Sequence, residues 1–331
     1  MHPSDRGQPL GYGHPRRNGV SSISETGGGE GRALPTTYTP LRYPGGKSRL
    51  SHYLSHLLRQ NRMTGCLYVE PFAGGAGAAI NLLRKGYVQS ALLNDIDPGI
   101  VAFWNAVLRQ TEDLCGLIHD TPVTMDEWRR QREVLASAAS TALQRGFATL
   151  YLNRTNRSGV IGGGVIGGQR QRGTWKLDAR FNRATLAAKV REIACYRDRI
   201  KLYGMDGSRF LTDVVVPLKD SIFLYLDPPY YGRGKDLYHN HYGHEDHVEL
   251  AKVLGNRLAD RPWVISYDDT PETRAIYEGF RSLSYAIRYS AAARYQGAEI
   301  MFFGPAIKEP LLEDPLSVVS YARASLAKKT G

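Results

Sequence analysis

Short apolar runs alternate with polar and helical stretches along most of the chain. Each run is bounded by turn-forming residues and is shorter than a typical buried helix, so each predicts a strand. The predicted strands are 67–69, 91–95, 201–206, 222–226 and 263–267. One predicted helix ends at Leu58, and the others span 78–83, 99–108, 244–258 and 271–278. A further buried stretch is expected at 147–152.

Two more apolar runs flank a polar loop near the C-terminal end. Residues 285–289 and 299–303 are rich in aromatic and β-branched side chains, and the loop between them carries Arg294 and Gln296. We expect the two runs to pair as an antiparallel hairpin.

One strand is followed directly by a carboxylate, two prolines and an aromatic ring. The run Ile222–Leu226 is apolar throughout and predicts a buried strand, with Asp227 at its end. Pro228 and Pro229 stop regular structure, since neither has an N–H to donate, and their carbonyls stay free in a rigid turn. Two acceptors and the ring of Tyr230 suit an exocyclic amine on a planar base, because the acceptors hold both amine hydrogens while the ring stacks.

A glycine-rich loop follows the first predicted strand. Residues 70–77 read Glu-Pro-Phe-Ala-Gly-Gly-Ala-Gly, and glycines at such a turn let the backbone approach a ligand closely. The next strand ends at Asp95, at the distance from the loop where an acid reaches a ribose hydroxyl pair. Asp97 is expected to cap the following helix. A nicotinamide fingerprint would need another glycine where Ile80 stands, which weakens that class.

An earlier glycine turn resembles the end of a phosphate-binding P-loop. Gly45-Gly46-Lys47-Ser48 lacks the first glycine of that motif, because Leu41 stands at its position. We therefore reject ATP binding here. A tight turn that presents Lys47 could still hold a small anion such as a carboxylate.

The positive charge of the chain is concentrated in one segment. The formal net charge is +11, and residues 129–201 alone carry 16 Lys and Arg against 4 Asp and Glu, or +12. Such a concentration favours a nucleic-acid face over an ordinary solvated surface. Arg and Asn side chains read base edges, and Lys and Arg meet phosphates. The predicted DNA contacts are Asn153, Arg154, Asn156, Arg157, Arg170, Arg172 and Lys176.

The cysteines and the hydropathy indicate the cellular compartment. Cys66, Cys115 and Cys195 show no paired or metal spacing, which fits a reducing compartment without disulfides. No apolar stretch reaches the ~18 residues that span a membrane, and the N-terminus lacks the apolar core of a signal peptide. We expect a cytoplasmic protein.

Residues 238–247 contain four histidines with no cysteine beside them. That composition does not predict a metal site, and we expect none. The glycines and tyrosines that precede these histidines are instead typical of a mobile loop that closes over a substrate.

In combination, these motifs resemble those of the DNA adenine methylase (Dam-like) family of N6-adenine-specific DNA methyltransferases. The resemblance runs from about residue 40 to 305. In chain order the shared motifs are Tyr-Pro-Gly-Gly-Lys at 43–47, the glycine loop at 70–77, Asn-Asp-Ile-Asp at 94–97, Tyr-Leu-Asn-Arg at 151–154 and Asp-Pro-Pro-Tyr at 227–230. The chain departs from the family pattern with Tyr43, where many relatives have Trp, and with its glycine-rich stretch at 162–168.

The resemblance implies an α/β fold and a division of the chain. We expect a Rossmann-like S-adenosylmethionine-dependent methyltransferase sheet with a C-terminal antiparallel hairpin, plus an inserted, mostly helical target-recognition region. The expected parts are a disordered N-terminal tail at 1–36, a catalytic domain at 37–110 and 200–310, an inserted DNA-recognition region at 111–199 and a polar C-terminal tail at 311–331.

The resemblance also implies roles for single residues. Asp227, Pro228, Pro229 and Tyr230 would be catalytic. Asp206 has two readings from its position, a contact to the adenine of the cofactor or a helix cap. The expected contacts to S-adenosylmethionine are Tyr43, Gly46, Lys47, Glu70, Phe72, Ala73, Gly74, Gly75, Gly77, Asp95, Ile96, Asp206 and Asp227.

The expected reaction is transfer of a methyl group to the N6 amine of adenine in double-stranded DNA, with the base flipped out of the duplex. A cytosine-C5 enzyme would need a cysteine nucleophile, typically after a proline, and none of the three cysteines follows one. RNA and the N4 amine of cytosine remain as alternative substrates, and a non-catalytic nucleic-acid-binding protein remains as an alternative class. The residues leave open whether the enzyme acts alone or beside a cognate restriction endonuclease.

Overall fold

The structure, a computed structural model, describes residues 38–42, 50–232, 242–288, 296–308 and 318–322. The predicted N-terminal tail and most of the predicted mobile loop, residues 233–241, lie outside the described residues.

One mixed sheet runs through the described part of the chain. Its strands are β1 (Leu67–Glu70), β2 (Ser90–Asn94), β3 (Ile200–Tyr203), β4 (Ile222–Leu226), β5 (Trp263–Asp268), β6 (Arg281–Arg288), β7 (Gln296–Phe303) and β8 (Val318–Ala322). The spatial order is β3-β2-β1-β4-β5-β7-β6-β8. The first five strands pair in parallel, and β6, β7 and β8 add antiparallel pairs at one side. This confirms the α/β fold with a C-terminal antiparallel hairpin.

The strand order reverses between β1 and β4. The chain builds β1, β2 and β3 outward to one side, then crosses to β4 and β5 on the other. Parallel strands end at the same edge, and ligands of open α/β sheets bind in the crevice at such a reversal. The glycine loop at 70–77 and the Asp-Pro-Pro-Tyr motif at 227–230 therefore leave neighbouring strands at one crevice.

Helices connect the strands. They are α1 (Leu50–Gln60), α2 (Gly77–Arg84), α3 (Pro98–Arg109), α4 (Thr111–Asp120), α5 (Met125–Ala136), α6 (Ala142–Thr155), α7 (Arg183–Ala194), α8 (Gly207–Phe210), α9 (His244–Lys252) and α10 (Pro271–Ile276). Within the described ranges, no helix combines the length and the apolar character needed to cross a membrane.

Apolar side chains cover both faces of the sheet. Successive side chains of a strand point to opposite faces, so Tyr68 and Val69 of β1 join different core clusters. The same alternation separates Tyr225 from Leu226 on β4. Burial on both faces explains why the parallel strands read as continuous apolar runs.

The predicted inserted region is helical, as expected, and contains α4 to α7. It does not form a core of its own, because Phe147 and Tyr151 of α6 belong to the same cluster as Phe103 and Trp104 of α3. Gly146 lies against α3 so closely that a Cβ there would come within 2.6 Å of the Ala102 carbonyl oxygen. The limits 111–199 stay a prediction.

Two expected element limits are corrected by the structure, and one strand is added to those predicted. Residues 318–322, for which no element was predicted, pair with β6. Their sequence, Val-Val-Ser-Tyr-Ala, is rich in strand formers and completes the edge of the sheet. The strand expected at 201–206 ends at Tyr203, and the helix expected at 244–258 gives way to a π-helical turn at Val253–Arg257.

Candidate functional site

Asp227 lies half-buried at the end of β4, and a neighbouring strand orients it. Ser266 of β5, which is fully buried, donates from Oγ to Asp227 Oδ1 over 3.1 Å. The hydroxyl of Tyr225 lies 2.9 Å from the same Oγ. Because the hydrogen of Ser266 goes to the carboxylate, Tyr225 is the donor of the second bond. This chain of hydroxyls fixes the rotamer of Asp227 and stabilises its charge.

Tyr230 is anchored through its hydroxyl. It donates to Glu299 Oε1 of β7 over 2.6 Å, and Tyr285 of β6 donates to Glu299 Oε2 over 2.7 Å. Glu299 and Tyr285 are buried, whereas Tyr230 is half-buried at the crevice. The ring of Tyr230 is therefore held at its hydroxyl end.

The backbone that follows Tyr230 is also held. Asp268, at the end of β5, accepts the N–H of Tyr231 at Oδ1 over 3.0 Å and that of Gly232 at Oδ2 over 2.9 Å. Asp268 lies two residues after Ser266, so both point to the same face of β5. One strand thus fixes the start and the end of the 227–232 loop. The sequence predicted no role in the site for Asp268, which falls between the strand expected at 263–267 and the helix expected at 271–278.

The glycine loop is held in a left-handed turn. Gly74 has φ of 46°, and Ala76, before α2, has φ of 44°. The Gly74 N–H donates to Asp95 Oδ2 over 2.8 Å, and the indole N–H of Trp104 donates to the Gly74 carbonyl over 2.8 Å. The tip of the loop is therefore pinned to β2 and α3, which gives a ligand a fixed backbone surface.

Asp95 keeps acceptor capacity for a ligand. Its Oδ1 accepts the Asp97 N–H over 2.9 Å. The Gly74 N–H bonds Oδ2, and the Ile96 N–H is a third backbone donor to the carboxylate, whose two oxygens together offer about four acceptor sites. Burial raises the pKa of Asp95 from 3.8 to about 6, against the backbone N–H bonds that lower it. The next side chain, Ile96, is 45% exposed and offers an apolar surface beside the carboxylate.

The buried side-chain amide of Asn94 links the loops that follow β1 and β3. Asn94 Nδ2 donates to the carbonyls of Pro71 and Met205, each over 2.9 Å, and its Oδ1 accepts the Met205 N–H over 2.9 Å. The loops after β1 and β3 therefore keep a fixed distance. Asn94 was noticed only as part of the Asn-Asp motif, because its partners are remote in sequence.

Asp206 acts as a helix cap in the structure. Its Oδ1 accepts the Arg209 N–H over 3.0 Å, and its Oδ2 accepts the Tyr242 hydroxyl over 3.3 Å. The ring of Tyr242 meets that of Phe72 edge to face, with 5.5 Å between centroids. The cap reading is confirmed, and the contact to a cofactor stays a prediction. Asp97 caps α3 as expected, accepting the Gly99 N–H over 2.7 Å.

The other predicted cofactor residues fall into two groups. Glu70, Ala73, Gly75 and Gly77 lie on β1, the glycine loop or the start of α2, in the crevice region. The remaining predicted contacts, Tyr43, Gly46 and Lys47, lie outside the described residues.

Two asparagines predicted to contact DNA instead bind the protein, and this part of the expectation is wrong. Asn153 is fully buried, and its amide exchanges hydrogen bonds of 2.7 and 2.8 Å with the backbone N–H and carbonyl of Arg42. Asn156 is fully buried as well, and its Oδ1 accepts the indole N–H of Trp128 over 2.7 Å. Neither amide can reach a base in this structure.

Arginines gather where the segment before α1 crosses α6. Arg154 Nε donates to the Pro40 carbonyl over 2.6 Å, and Arg42 Nη1 donates to the Asn156 carbonyl over 3.2 Å. Burial lowers the pKa of Arg154 to about 10, and the nearby charges of Arg42 and Arg180 also lower it. Part of the positive charge expected from the sequence is therefore concentrated around Arg42, Arg154 and Arg180.

The other predicted DNA contacts lie at the surface. Arg157, Arg170, Arg172 and Lys176 are exposed. Beside them, Trp175 is 67% exposed, which is unusual for so large an apolar side chain. Trp175 lies within the basic segment 129–201 but was not among the predicted DNA contacts.

The loop that carries Trp175 is tightly built. Gln171 Nε2 donates to the carbonyls of Ile166 and Gly168 over 2.7 and 2.8 Å, and its Oε1 accepts the Leu177 N–H over 3.0 Å. The Gly173 N–H donates to the Gly167 carbonyl over 3.1 Å. The exposed indole is thus presented from a fixed backbone.

Within the described residues, no group of three or more His, Cys, Asp or Glu side chains could hold a metal ion. His244 and His247 contact aromatic residues instead. Nδ1 of His244 lies 3.0 Å from the Tyr231 hydroxyl, and Nδ1 of His247 lies 2.9 Å from that of Tyr267.

Comparisons with known proteins point to one family. A family model described as "D12 class N6 adenine-specific DNA methyltransferase" matches residues 43–291, which is more than half of the chain. No curated protein matches the chain in sequence.

Two solved structures resemble the chain weakly. The rRNA methyltransferase AviRa from Streptomyces viridochromogenes is 13% identical, with a TM-score of 0.38 over 82% of this chain and 88% of that one. A protein from Legionella pneumophila strain Philadelphia 1 is 7% identical, with a TM-score of 0.31 over 81% and 86%. Likenesses this weak carry no argument.

Proposed function

The chain belongs to the D12 class of N6 adenine-specific DNA methyltransferases, as its motifs predicted, and from this premise we propose how its residues perform the reaction. The family establishes a DNA adenine methyltransferase that uses a methyl donor. We propose S-adenosylmethionine as that donor and double-stranded DNA in the cytoplasm as the substrate. The observation that carries the proposal is the Asp227 carboxylate, oriented by Ser266 at the crevice beside the glycine loop.

The residues around the glycine loop fit S-adenosylmethionine. The Asp95 carboxylate, which keeps acceptor capacity beside its backbone donors, suits the ribose hydroxyls. Ile96 offers an exposed apolar face for the adenine ring. The turn at Gly74 and Ala76 lets backbone approach the rest of the molecule. Glu70, Phe72, Ala73, Gly75, Gly77 and Asp206 complete the proposed site. Tyr43, Gly46 and Lys47 stay proposed contacts from the resemblance, which matches the Gly-Gly-Lys stretch to the methionine end of the cofactor, and they lie outside the described residues.

When bound, S-adenosylmethionine supplies an electrophilic methyl group. The protein must then make a poor nucleophile reactive, because the lone pair of an adenine amine is delocalised into the ring. Asp227 accepts one amine hydrogen and the Pro228 carbonyl accepts the other, which raises electron density on nitrogen. The same bonds favour the tetrahedral nitrogen of the transition state. Direct transfer from this arrangement needs no covalent enzyme intermediate.

The target base must leave the duplex to reach Asp227. Tyr230, fixed through its hydroxyl and half-buried at the crevice, offers a surface on which the flipped base stacks. Pro229 lies between the Pro228 carbonyl and Tyr230, and its fixed φ restricts where the backbone places the ring.

The duplex is proposed to bind across the basic surface, defined here as the exposed residues Arg157, Arg170, Arg172, Trp175 and Lys176. The cations would meet phosphates, and the indole would stack on a base or a sugar. Arg154 would contribute through its field more than through contact, because its guanidinium is held by Pro40.

The test is a transfer assay with defined products. The purified protein is incubated with labelled S-adenosylmethionine and unmethylated duplex DNA, which is then digested to nucleosides. Asp227→Ala removes one amine acceptor, and Asp260→Ala, at an aspartate whose side chain is 83% exposed, is the matched control. We expect N6-methyladenine from the wild type and from Asp260→Ala but not from Asp227→Ala.

Other products would contradict the proposal in distinguishable ways. Label on cytosine, or on RNA only, would keep the fold and overturn the substrate. Binding of S-adenosylmethionine without any transfer would instead support a non-catalytic nucleic-acid-binding protein.

A further inference from the structure

Glu299 is an ionisable residue in an apolar strand. It is 1% exposed, and the residues that follow it in β7, Ile300 to Phe303, are buried and apolar. A carboxylate is costly to bury unless it is paired or hydrogen-bonded. Here two phenolic hydroxyls, one on each oxygen, meet that requirement. An apolar residue at this position would fill the core without that cost, so the carboxylate serves a geometric purpose.

The register of the sheet explains why Glu299 can reach the site. It is paired with Tyr285 on β6 and with Asp268 on β5, so it lies at the edge where β4 and β5 end. Tyr285 is fully buried, and its hydroxyl donates to Oε2 of Glu299. Oε1 of Glu299 is thereby turned toward the 227–232 loop, where Tyr230 donates to it.

Both oxygens of Glu299 accept, one from each phenol, which fixes the direction of the two bonds. The hydroxyl hydrogen of Tyr230 points into the protein at Glu299, and a phenol bound at its para position can neither swing out nor tilt freely. Asp268 holds the backbone next to Tyr230 through the Tyr231 N–H. The ring is therefore constrained from its backbone and from its tip.

We propose that Glu299 is a positioning residue that holds the ring of Tyr230 ready to receive the flipped adenine. This inference rests on the proposed function, since it concerns the stacking surface of that reaction. Glu299 does not touch the base. It acts by removing the conformational freedom that Tyr230 would otherwise lose when the base arrives.

The experiment measures base flipping and transfer separately. The sequence methylated by the wild type is read from its product, and 2-aminopurine is placed at the target adenine so that its fluorescence reports unstacking. Glu299→Gln keeps the shape of the side chain, but it replaces one of the two oxygens that accept from the phenols with an amide nitrogen, which donates. We expect it to lower the flipping signal and the single-turnover rate about tenfold or more, because a hydrogen bond to a charged group is lost. Its affinity for S-adenosylmethionine should stay close to the wild type, whereas its melting temperature should fall, because a buried hydrogen bond is lost.

Tyr230→Phe approaches the same bond from the other side, and it keeps the test decisive if Glu299→Gln does not fold. We expect Tyr230→Phe to reproduce the loss, and the double variant to lose little more than either single one. Glu278→Gln removes the same charge at an exposed position and is the matched control. It should leave flipping and transfer unchanged.

Each contrary result overturns a different statement. Wild-type flipping and transfer in both Glu299→Gln and Tyr230→Phe would overturn the positioning role while leaving the proposed function intact. A loss in Glu299→Gln that is matched by an equal loss of affinity for S-adenosylmethionine would show a purely structural residue. A wild-type protein that methylates no adenine would overturn the proposed function itself, and the positioning role with it.

Discussion

Ser266 Oγ donates a hydrogen bond to Asp227 Oδ1 over 3.1 Å, from the strand next to the one that Asp227 ends. The bond orients the carboxylate that is proposed to accept the amine hydrogen. Ser266→Ala should lower the single-turnover rate of methyl transfer about tenfold, since a bond to a charged acceptor is worth roughly 1.5–3 kcal/mol.

The control for this prediction is Tyr225→Phe, which removes only the hydroxyl behind Ser266. It should cost less than Ser266→Ala, because the bond to Asp227 remains. Affinity for S-adenosylmethionine should change little in either variant. A wild-type rate in Ser266→Ala would show that Asp227 is oriented by other groups.

Binding of S-adenosylmethionine should depend on pH through Asp95. Burial raises the pKa of this carboxyl from 3.8 to about 6. The group is therefore protonated below pH 6 and loses the acceptor capacity that the ribose hydroxyls require. The affinity should be constant above about pH 7 and fall by roughly tenfold per pH unit well below 6. Calorimetry or fluorescence titration without DNA would measure it.

Asp95→Asn tests the assignment of that pH dependence. The variant cannot ionise, so its affinity should be lower at neutral pH and flat through the same range. A wild-type affinity that does not change between pH 7 and 5 would remove Asp95 as the ribose acceptor.

The parts of the site that the sequence revealed are those carried by local motifs. The Asp-Pro-Pro-Tyr stretch and the glycine loop are each contiguous, and each follows an apolar run that could be recognised as a strand. Since parallel strands end at one edge, the proximity of these two motifs follows once the strand order is known. The Asp97 cap was predictable for the same local reason.

The supporting residues could not be found in this way. Ser266, Asp268 and Glu299 act on residues about 30 to 70 positions away, and only the register of β5 with β4 and β7 brings them there. Glu299 in particular reads as a polar start to an apolar strand. The two asparagines were misread for a related reason: composition shows that an amide can contact a base, but not that Arg42 and Trp128 already occupy it.

That correction gives a prediction for Asn153. Asn153→Ala would leave the backbone N–H and carbonyl of Arg42 and the carbonyl of Gly159 without this partner. Loss of buried hydrogen bonds should lower the free energy of unfolding by about 2–3 kcal/mol. Urea denaturation measures the loss, and the salt dependence of DNA binding should keep its wild-type slope.

Arg172→Ala is the contrasting variant. Arg172 is exposed, so its removal should leave the free energy of unfolding unchanged and reduce the salt slope of DNA binding by about one. If Asn153→Ala also changed the slope while the fold stayed stable, the base-contact hypothesis for Asn153 would return.

Trp175 should contribute to DNA affinity through stacking. Trp175→Ala should weaken binding of the duplex by about tenfold or more, because an aromatic contact to a base is worth roughly 1–3 kcal/mol. Trp175→Phe should retain most of the affinity, and neither variant should change the melting temperature, since the indole is 67% exposed. Equal affinity of all three proteins at several salt concentrations would show that the indole lies outside the interface.

The packing of the inserted region against α3 can be tested at Gly146. A Cβ at this position would come within 2.6 Å of the Ala102 carbonyl oxygen and 2.9 Å of the Phe103 nitrogen. These are backbone atoms, so α6 would have to move away from α3. Gly146→Ala should therefore destabilise the protein by about 1–3 kcal/mol, even though alanine favours a helix. Gly116→Ala in α4 is the matched control, because nothing lies within 4 Å of its added Cβ. It should stabilise the protein by up to about 1 kcal/mol through helix propensity alone. Unfolding curves of the two variants should thus shift in opposite directions, and a shift of both in the stabilising direction would show that α6 does not depend on close contact with α3.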